Sequence, residues 1–169
     1  MSFISKIQPL QVMESNDSTE KPSFETKTIT AELVRELWSK TYNTAGKPDW
    51  SHILPYYADD MYFRDSIQEI RGKKPFTEMT ERLAARSKDL KMRVVNAIMS
   101  ENIVLIEWEM TLRFKKYPSS IMYGSSRLTI NDEGKIAEQR DYYDLWGDIF
   151  DNIPRFGKMY RRFMKKKFG

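Results

Sequence analysis

Two aspartates stand among aromatic residues in a pattern that suits proton transfer. Asp65 ends the short run 61–65, and Asp141 lies inside the run 135–146. Burial beside apolar side chains disfavours the charged form of a carboxyl group, so its pKa moves towards neutrality. Such a group can act as a general acid or base, and two of them in one cavity can divide these roles. We therefore predict Asp65 and Asp141 as the catalytic residues of a cofactor-free reaction.

The run around Asp141 is predicted to be a strand that faces a pocket. It follows an Asn-Asp-Glu-Gly turn signal, and its β-branched and aromatic content suits a strand. Successive side chains of a strand point to opposite faces, so Asp141 shares one face with Gln139 and Tyr143. The same alternation places Asp65 on one face with Phe63.

A strand predicted over residues 103–115 supplies an apolar wall for this pocket. Every second residue from Val104 to Phe114 is apolar, and the alternate positions are mostly charged. This pattern is typical of a half-buried antiparallel strand. We expect Arg127 to pair with Asp141 if its strand neighbours the last one. The predicted pocket residues are Trp38, Phe63, Trp108, Met110, Tyr123, Arg127, Gln139 and Tyr143.

These residues also have purely structural interpretations. Asp65 is placed to cap a turn with Ser66, and Asp141 to form a buried ion pair with an arginine. Trp108 and Met110 fit core filling as well as a pocket wall. The sequence alone leaves these alternatives open.

The elements that position the site follow from helical and strand periodicity. Thr30 is placed as the N-cap of a first helix, with Ile29 and Val34 as a hydrophobic staple. A shorter helix is predicted over residues 50–57, and a third helix begins near Pro75. Three longer strands follow, at residues 91–100, 103–115 and 120–130. This order favours an α+β fold with helices on one face of a curved sheet.

Length and composition exclude several classes of protein. A chain of 169 residues with 40% hydrophobic and 31% charged residues indicates one globular domain. No apolar run approaches the roughly 18 residues that a membrane span needs. The absence of cysteine excludes disulfides and thiolate chemistry, and a single histidine, His52, argues against a histidine metal site or a triad. We expect no cofactor, no metal and a cytoplasmic location.

Charge divides the chain into a mildly acidic body and a basic tail. The formal net charge is +4, and seven of the 28 basic residues lie between Arg155 and Lys167, where no acidic residue occurs. Without these seven, 21 basic residues face 24 acidic ones, which argues against a nucleic-acid-binding surface on the body. The predicted organisation is a flexible lead (1–28), an α+β domain (29–146) and a basic amphipathic helix (147–169).

Three roles of the basic tail are compatible with its sequence. The helix packs over the pocket mouth with its charges in water, or it lies on an anionic membrane. The third role is a nucleic-acid contact by residues 165–167. This role is the least favoured, because no stacking aromatics accompany an otherwise basic surface. We therefore expect no nucleic-acid partner.

Two segments match motifs of a known family. The run Tyr-Ala-Asp-Asp-Met-Tyr-Phe-Arg-Asp at residues 57–65 is similar to an aromatic-Ala-Asp-Asp opening of a first strand. Glu-Gly-Lys-Ile at 133–136 and Arg-Asp-Tyr-Tyr-Asp at 140–144 resemble the final strand of limonene epoxide hydrolases. Over roughly residues 30–146 the chain thus resembles the SnoaL-like group of the nuclear transport factor 2-like superfamily, which also contains ketosteroid isomerases. The resemblance implies a cone-shaped, curved, mainly antiparallel sheet with three helices on its concave side, an interior pocket and often a homodimer formed through the sheet.

The resemblance to ketosteroid isomerases implies one catalytic role. In these enzymes the carboxylate that ends the first strand is the general base, and Asp65 stands at that position. Their oxyanion-binding Tyr and protonated Asp fall near Ser39 and Tyr123, so the pair is not reproduced. Tyr123 nevertheless keeps a hydroxyl that can donate a hydrogen bond.

The resemblance to limonene epoxide hydrolases is also partial. Asp141 matches the last-strand Asp of their Asp–Arg–Asp relay, and Phe63 and Asp65 fall at the pair that holds the water. Trp108 and Met110 stand where the relay has its Arg and its other Asp. Two of the three relay members are therefore replaced by apolar residues.

Two functions follow from the residues and the resemblance. The first is a pocket protein that binds a small, largely apolar molecule, either without turnover or as a cofactor-free isomerase or hydrolase. The second is a non-catalytic interaction module that acts through its sheet surface or its basic C-terminal helix. A filled interior would favour the second function over the first.

Overall fold

The computed structural model describes residues 27–115 and 119–169, so most of the predicted lead lies outside the described residues. The strands are β1 (Tyr57–Arg64), β2 (Glu69–Arg71), β3 (Ser87–Ser100), β4 (Ile103–Phe114), β5 (Ser119–Ile130) and β6 (Ile136–Tyr143). The helices are α1 (Ala31–Tyr42), α2 (Lys73–Arg86) and α3 (Phe156–Phe168). The six strands form one sheet in the order β2-β1-β6-β5-β4-β3. The β1–β6 pair is parallel, and the other neighbouring pairs are antiparallel.

The sheet buries one face, as the alternation along β4 predicts. Val104, Ile106 and Trp108 are at most 3% exposed, whereas Leu105 between them is 42% exposed. Two register shifts between β3 and β4 bend the sheet, because an extra residue in one strand increases its local twist. The buried face is the concave one, and α1 packs there on β3 while α2 packs on β1. The predicted α+β fold class is confirmed.

The helices on the concave side begin at residues that suit a helix start. The hydroxyl oxygen of Thr30 accepts the backbone N–H of Leu33 at 3.1 Å, which caps α1. Ile29 and Val34 are both buried beside this cap, as expected of a hydrophobic staple. Gly72 precedes α2 with a φ of 89°, a left-handed conformation that glycine adopts without strain.

Two elements of this half of the chain differ from the prediction. The helix predicted over residues 50–57 is instead two 3₁₀ turns, Trp50–His52 and Leu54–Tyr56. Pro55 explains the difference, because it has no N–H with which to continue α-helical hydrogen bonds. The edge strand β2, which the sequence does not predict, has three residues and is too short for periodicity to reveal it.

The C-terminal segment is helical in three pieces rather than in one. A π-helical turn (Leu145–Ile149) and a 3₁₀ turn (Phe150–Asn152) precede α3. The helix predicted within residues 147–169 therefore starts later than expected. Pro154 and then Arg155, which has a φ of 71°, interrupt the helical hydrogen bonding before α3. Among the described residues, no helix is both long and apolar enough to cross a membrane.

Candidate functional site

A cavity of about 390 Å³ lies between the concave face of the sheet and the helices. This volume falls in the range of roughly 300–1,000 Å³ that is usual for small-molecule sites. Aromatic and aliphatic side chains form most of its wall, and three of the four tryptophans of the chain contribute to it. Leu145, Ile149 and Phe150 complete the wall from the turns that precede α3. The interior of the fold is therefore hollow rather than filled.

Both predicted carboxylates line this cavity. Asp65 follows the end of β1 and Asp141 belongs to β6, and the parallel pairing of Phe63 with Gln139 brings these strand ends together. The structure also places six of the eight predicted pocket residues in the wall: Trp38, Phe63, Trp108, Met110, Gln139 and Tyr143. The two predicted acids thus open into one hollow.

The carboxylate of Asp141 is held by two side chains that reach the same oxygen. Ser126, its register partner on β5, donates its hydroxyl to Oδ1 at 2.6 Å. The side-chain amide of Gln139 donates to the same atom at 2.9 Å. Both hydrogen bonds that described residues make to this carboxylate end on Oδ1, so Oδ2 is the oxygen available to a ligand.

Two aromatic residues orient these donors. The indole N–H of Trp108 donates to the Ser126 hydroxyl oxygen at 3.0 Å, which directs the hydroxyl proton to Asp141. The hydroxyl of Tyr57 donates to the side-chain oxygen of Gln139, which directs the amide N–H₂ to Asp141. Because these four partners are buried, water does not compete for their hydrogen bonds and the network is rigid.

Burial changes the acidity of Asp141. Loss of hydration inside the fold raises the pKa of its carboxyl group to about 6. The hydrogen bonds from Ser126 and Gln139 oppose this rise, and the negative charge of Asp65 adds to it. A carboxyl group with this pKa populates both protonation states close to neutral pH. Asp141 can therefore accept or release a proton there.

Asp65 stabilises a turn and also lines the cavity. Its Oδ1 accepts the backbone N–H groups of Ile67 and Gln68, each at 2.8 Å, which builds the turn into β2. Its Oδ2 accepts the hydroxyl of Tyr143 at 3.3 Å. Burial and the charge of Asp65 raise the pKa of Tyr143, so this phenol remains protonated. The turn-capping alternative therefore holds for Asp65, with Ile67 and Gln68 as partners rather than Ser66.

Two predicted pocket residues, Tyr123 and Arg127, lie outside the cavity, so the prediction is wrong for both. β5 directs Ser126 to the concave face, so its odd-numbered residues face outwards. Tyr123 is 60% exposed, and Arg127 pairs with Glu138 at 3.5 Å on the outer face. The expected Arg127–Asp141 ion pair is not formed, although β5 and β6 are neighbours.

The sequence-based prediction omits two residues that surround Asp141, namely Ser126 and Tyr57. Ser126 carries no local signal of function, and the motif at 57–65, of which Tyr57 is the first residue, indicates a fold rather than a role. Ser126 meets Asp141 through the register of two strands, and Tyr57 reaches Gln139 because β1 runs beside β6. Over residues 27–115 and 119–169, no group of three or more His, Asp or Glu side chains is placed to hold a metal ion.

Comparison of the sequence with known proteins identifies one family. A family model described as SnoaL-like domain matches residues 38–139, which is more than half of the chain. No curated protein sequence matches the chain significantly. The matched range contains Asp65 and Gln139 and ends two residues before Asp141.

Comparison of the structure finds many proteins with the same fold. An LEH-like epoxide hydrolase from Mycobacterium tuberculosis has a TM-score of 0.59 and 18% identity, covering 78% of this chain and 94% of that one. A hypothetical protein of ketosteroid isomerase-like fold from Catenulispora acidiphila, in complex with trimethylamine, has a TM-score of 0.61 and 18% identity, with coverages of 73% and 93%. An NTF2-like protein of unknown function from Exiguobacterium sp. has a TM-score of 0.54 and 15% identity, with coverages of 67% and 96%. Identities this low show a common fold and carry no activity to this chain.

Proposed function

The chain belongs to the SnoaL-like domain family, and from this premise we propose that its cavity binds a small, largely apolar molecule. The observation that carries the proposal is that Asp65 and Asp141 open into one hollow whose wall is otherwise mostly aromatic and aliphatic. An apolar ligand gains free energy when it leaves water for such a wall. A few polar groups then fix its orientation.

Within this cavity Asp141 acts as the acid–base group. Ser126 and Gln139 hold its Oδ1, and Oδ2 meets the ligand. The ionised carboxylate removes a proton from a carbon next to a carbonyl group or from a water molecule, and the protonated form returns it. These are the steps of a cofactor-free isomerase or hydrolase. Asp65 is the second carboxylate, and its charge raises the pKa of Asp141.

The alternative within this proposal is that the cavity binds its ligand without converting it. Trp108 and Met110 stand where limonene epoxide hydrolases have two relay residues, and both are apolar wall residues here. Hydrolysis through that relay has no support in this chain, so the proposed reaction depends on the two aspartates. Binding and catalysis therefore need separate tests.

The binding test uses 2-naphthol, a small apolar molecule with one hydroxyl, and naphthalene as the control without it. At about pH 7.5 the ionised Oδ2 of Asp141 accepts the naphthol hydroxyl. In Asp141→Asn the amide oxygen must still face Ser126 and Gln139, which turns the N–H₂ towards the cavity. We expect the affinity for 2-naphthol to fall about tenfold and that for naphthalene to stay unchanged.

The fluorescence of the cavity tryptophans reports both titrations. Unchanged affinity of Asp141→Asn for 2-naphthol would contradict the assignment of Oδ2 as the ligand-facing oxygen. Failure of the wild-type protein to bind either compound would contradict the proposal that this cavity holds small apolar molecules.

The catalysis test follows deuterium exchange next to the carbonyl group of 2-tetralone in D₂O by NMR. This exchange requires a base that removes a proton from carbon. We expect Asp141→Asn to abolish the protein-dependent exchange. Asp65→Asn should move the pH profile of exchange to lower pH, because the charge that raises the pKa of Asp141 is removed. Exchange that is absent, or that survives both substitutions unchanged, leaves a binding protein and removes the catalytic assignment.

The outer face of the sheet supports a second function, that of an interaction module. Ile121, Tyr123 and Tyr142 are 51%, 60% and 48% exposed on this face, where β5 and β6 are neighbours. Exposed apolar patches of this kind mark protein–protein contacts. We propose that this face forms a homodimer. Light scattering should show a dimer that Ile121→Glu converts to a monomer with unchanged naphthalene binding, and a monomeric wild-type protein would exclude it.

A further inference from the structure

The C-terminal helix α3 exposes large apolar side chains along one side. Met159 and Phe163, one helical turn apart, are 63% and 55% exposed, and Phe168 at the end of the helix is 77% exposed. On the adjoining side, Tyr160 stacks on Trp146 with ring centroids 5.1 Å apart. The helix thus packs with only part of its apolar stripe, and the rest is open to another apolar phase.

The opposite side of α3 is positively charged. At about 3.6 residues per turn, Lys158, Arg162 and Lys165 fall on the side away from Tyr160. The helix contains no acidic residue, and Arg161 pairs with Asp151 of the preceding turn. Within the described residues, no other cation of α3 takes part in an ion pair. These cations are therefore free to meet an anionic partner.

Trp146 extends the exposed apolar surface of α3. This side chain is 46% exposed, whereas the other three tryptophans are at most 7% exposed: Trp38, Trp50 and Trp108. Tryptophan and tyrosine rings with one apolar and one wet side are favoured at the boundary between water and lipid. The stacked pair Trp146 and Tyr160 has this arrangement, since it borders both the apolar stripe and solvent.

We propose that α3 binds the surface of an anionic lipid bilayer. The helix lies in the plane of the interface, with Met159, Phe163 and Trp146 at the boundary between headgroups and acyl chains. The unpaired cations contact the anionic headgroups. Binding of this type needs both buried apolar area and attraction to negative lipids, and α3 presents the two together.

A nucleic acid matches this surface less well. Phosphates attract the cations of α3 and the bases of a single strand can stack on Phe163, but neither buries the aliphatic side chain of Met159. Outside the basic tail the chain carries more acidic than basic residues, which repels a polyanion. A bilayer satisfies both sides of the helix, and it needs only the tail to approach it.

The test measures flotation of the full-length protein with vesicles of phosphatidylcholine that contain about 30% phosphatidylserine. We expect binding that weakens at high salt and is at least about tenfold weaker for pure phosphatidylcholine. Met159→Ser with Phe163→Ser removes the apolar contacts, and its matched control is Val95→Ser with Met99→Ser, two exposed apolar residues of β3 on the sheet. The α3 pair should lower the affinity at least about tenfold, and the sheet pair should not change it.

The contribution of the α3 cations to binding is tested with the same flotation measurement. Changing Lys165, Lys166 and Lys167 to Gln removes three cations from α3. The control with an equal change in net charge replaces three exposed lysines of the body, at positions 40, 74 and 88. The tail triple should lower the affinity for the anionic vesicles by about tenfold or more, and the body triple should leave it close to the wild-type value.

Trp146 provides a direct measure of insertion. Brominated phosphatidylcholine quenches tryptophans that enter the bilayer, and three of the four in this chain are buried in the fold. We expect quenching in the wild-type protein and its loss in Trp146→Phe, which keeps an aromatic ring against Tyr160. Absence of flotation, equal flotation of the tail variants and their controls, or binding to a single-stranded oligonucleotide in place of vesicles would each overturn the proposal. Naphthalene binding by the α3 variants should be unchanged, so this test is independent of the cavity.

Discussion

Ser126 donates a 2.6 Å hydrogen bond to Oδ1 of Asp141 from the register-paired position on the neighbouring strand. The hydroxyl that makes this bond also accepts the indole N–H of Trp108. A wall residue of the cavity is thereby linked to one of the carboxylates that open into it. The acidity of Asp141 and the packing of β4 on β5 are consequently coupled.

The stability of the protein should depend on the ionisation of Asp141. Its folded-state pKa of about 6 lies above the ordinary value of 3.8, so the folded state binds a proton more tightly than the unfolded state. This contribution is complete below about pH 4 and is lost as the pH rises through about 6. Asp141→Asn removes the dependence. Relative to the wild-type protein, the variant should gain on the order of 2 kcal/mol between about pH 4 and about pH 7.5.

Urea unfolding of both proteins at the two pH values measures this gain. A difference in unfolding free energy that is the same at both pH values would show that Asp141 titrates at its ordinary pKa. The sign is also diagnostic, because a carboxylate stabilised by its partners would make the variant lose stability with rising pH instead.

Ser126→Ala should be costly although it removes a single oxygen atom. The substitution leaves the buried indole N–H of Trp108 without its acceptor and takes one donor from Asp141. We expect a loss of about 1–3 kcal/mol in unfolding free energy and a further rise in the pKa of Asp141. Ser125→Ala is the matched control, because Ser125 lies on the opposite face of the same strand. Equal effects of the two substitutions would contradict the network.

Trp108 should be able to keep its position only while residue 124 is a glycine. A Cβ at this position would lie 2.4 Å from the Trp108 ring and 2.7 Å from the carbonyl oxygen of Tyr142. Gly124→Ala should therefore destabilise the fold by about 1–3 kcal/mol through overpacking. The near-ultraviolet circular dichroism should change as Trp108 moves. Gly46→Ala, where a Cβ meets nothing within 4 Å, should be neutral, and a neutral Gly124→Ala would contradict this packing.

The turn at Asp65 should tolerate Asn but not Ala. Asn keeps a side-chain oxygen that accepts the N–H groups of Ile67 and Gln68, whereas Ala leaves both without this partner. We expect Asp65→Ala to lose about 1–2 kcal/mol of unfolding free energy and Asp65→Asn to lose clearly less. Urea unfolding separates the two variants. If they were equally destabilised, the charge of Asp65 rather than its turn would be the stabilising feature.

Much of the site could be predicted because it depends on geometry within one element. A strand alternates its side chains whatever the rest of the fold does, so Gln139, Asp141 and Tyr143 had to share a face. The same rule placed Trp108 and Met110 together on β4. Helix starts are equally local, which is why the cap at Thr30 was predicted correctly.

The face of β5 could not be predicted in this way. Its apolar residues occur at both parities, with Ile121 and Tyr123 on the outer face and Met122 and Leu128 on the inner one. The alternation along β5 therefore does not indicate which of its two faces is buried. Pairing with β4 decides which face of β5 is buried, because only glycine at position 124 leaves room for the Trp108 ring opposite it.

By itself the sequence thus determined the apolar wall and the residues that share a face of each strand, since both follow from periodicity along one segment. The order of these segments determined the fold class. Only the tertiary structure decided that Asp65 and Asp141 share one cavity, that Ser126 holds the second of them, and that Arg127 does not. The physical reason is that these contacts depend on the register between strands far apart in sequence. Register is set by the packing of the whole sheet, so it cannot be predicted from any one segment of the sequence.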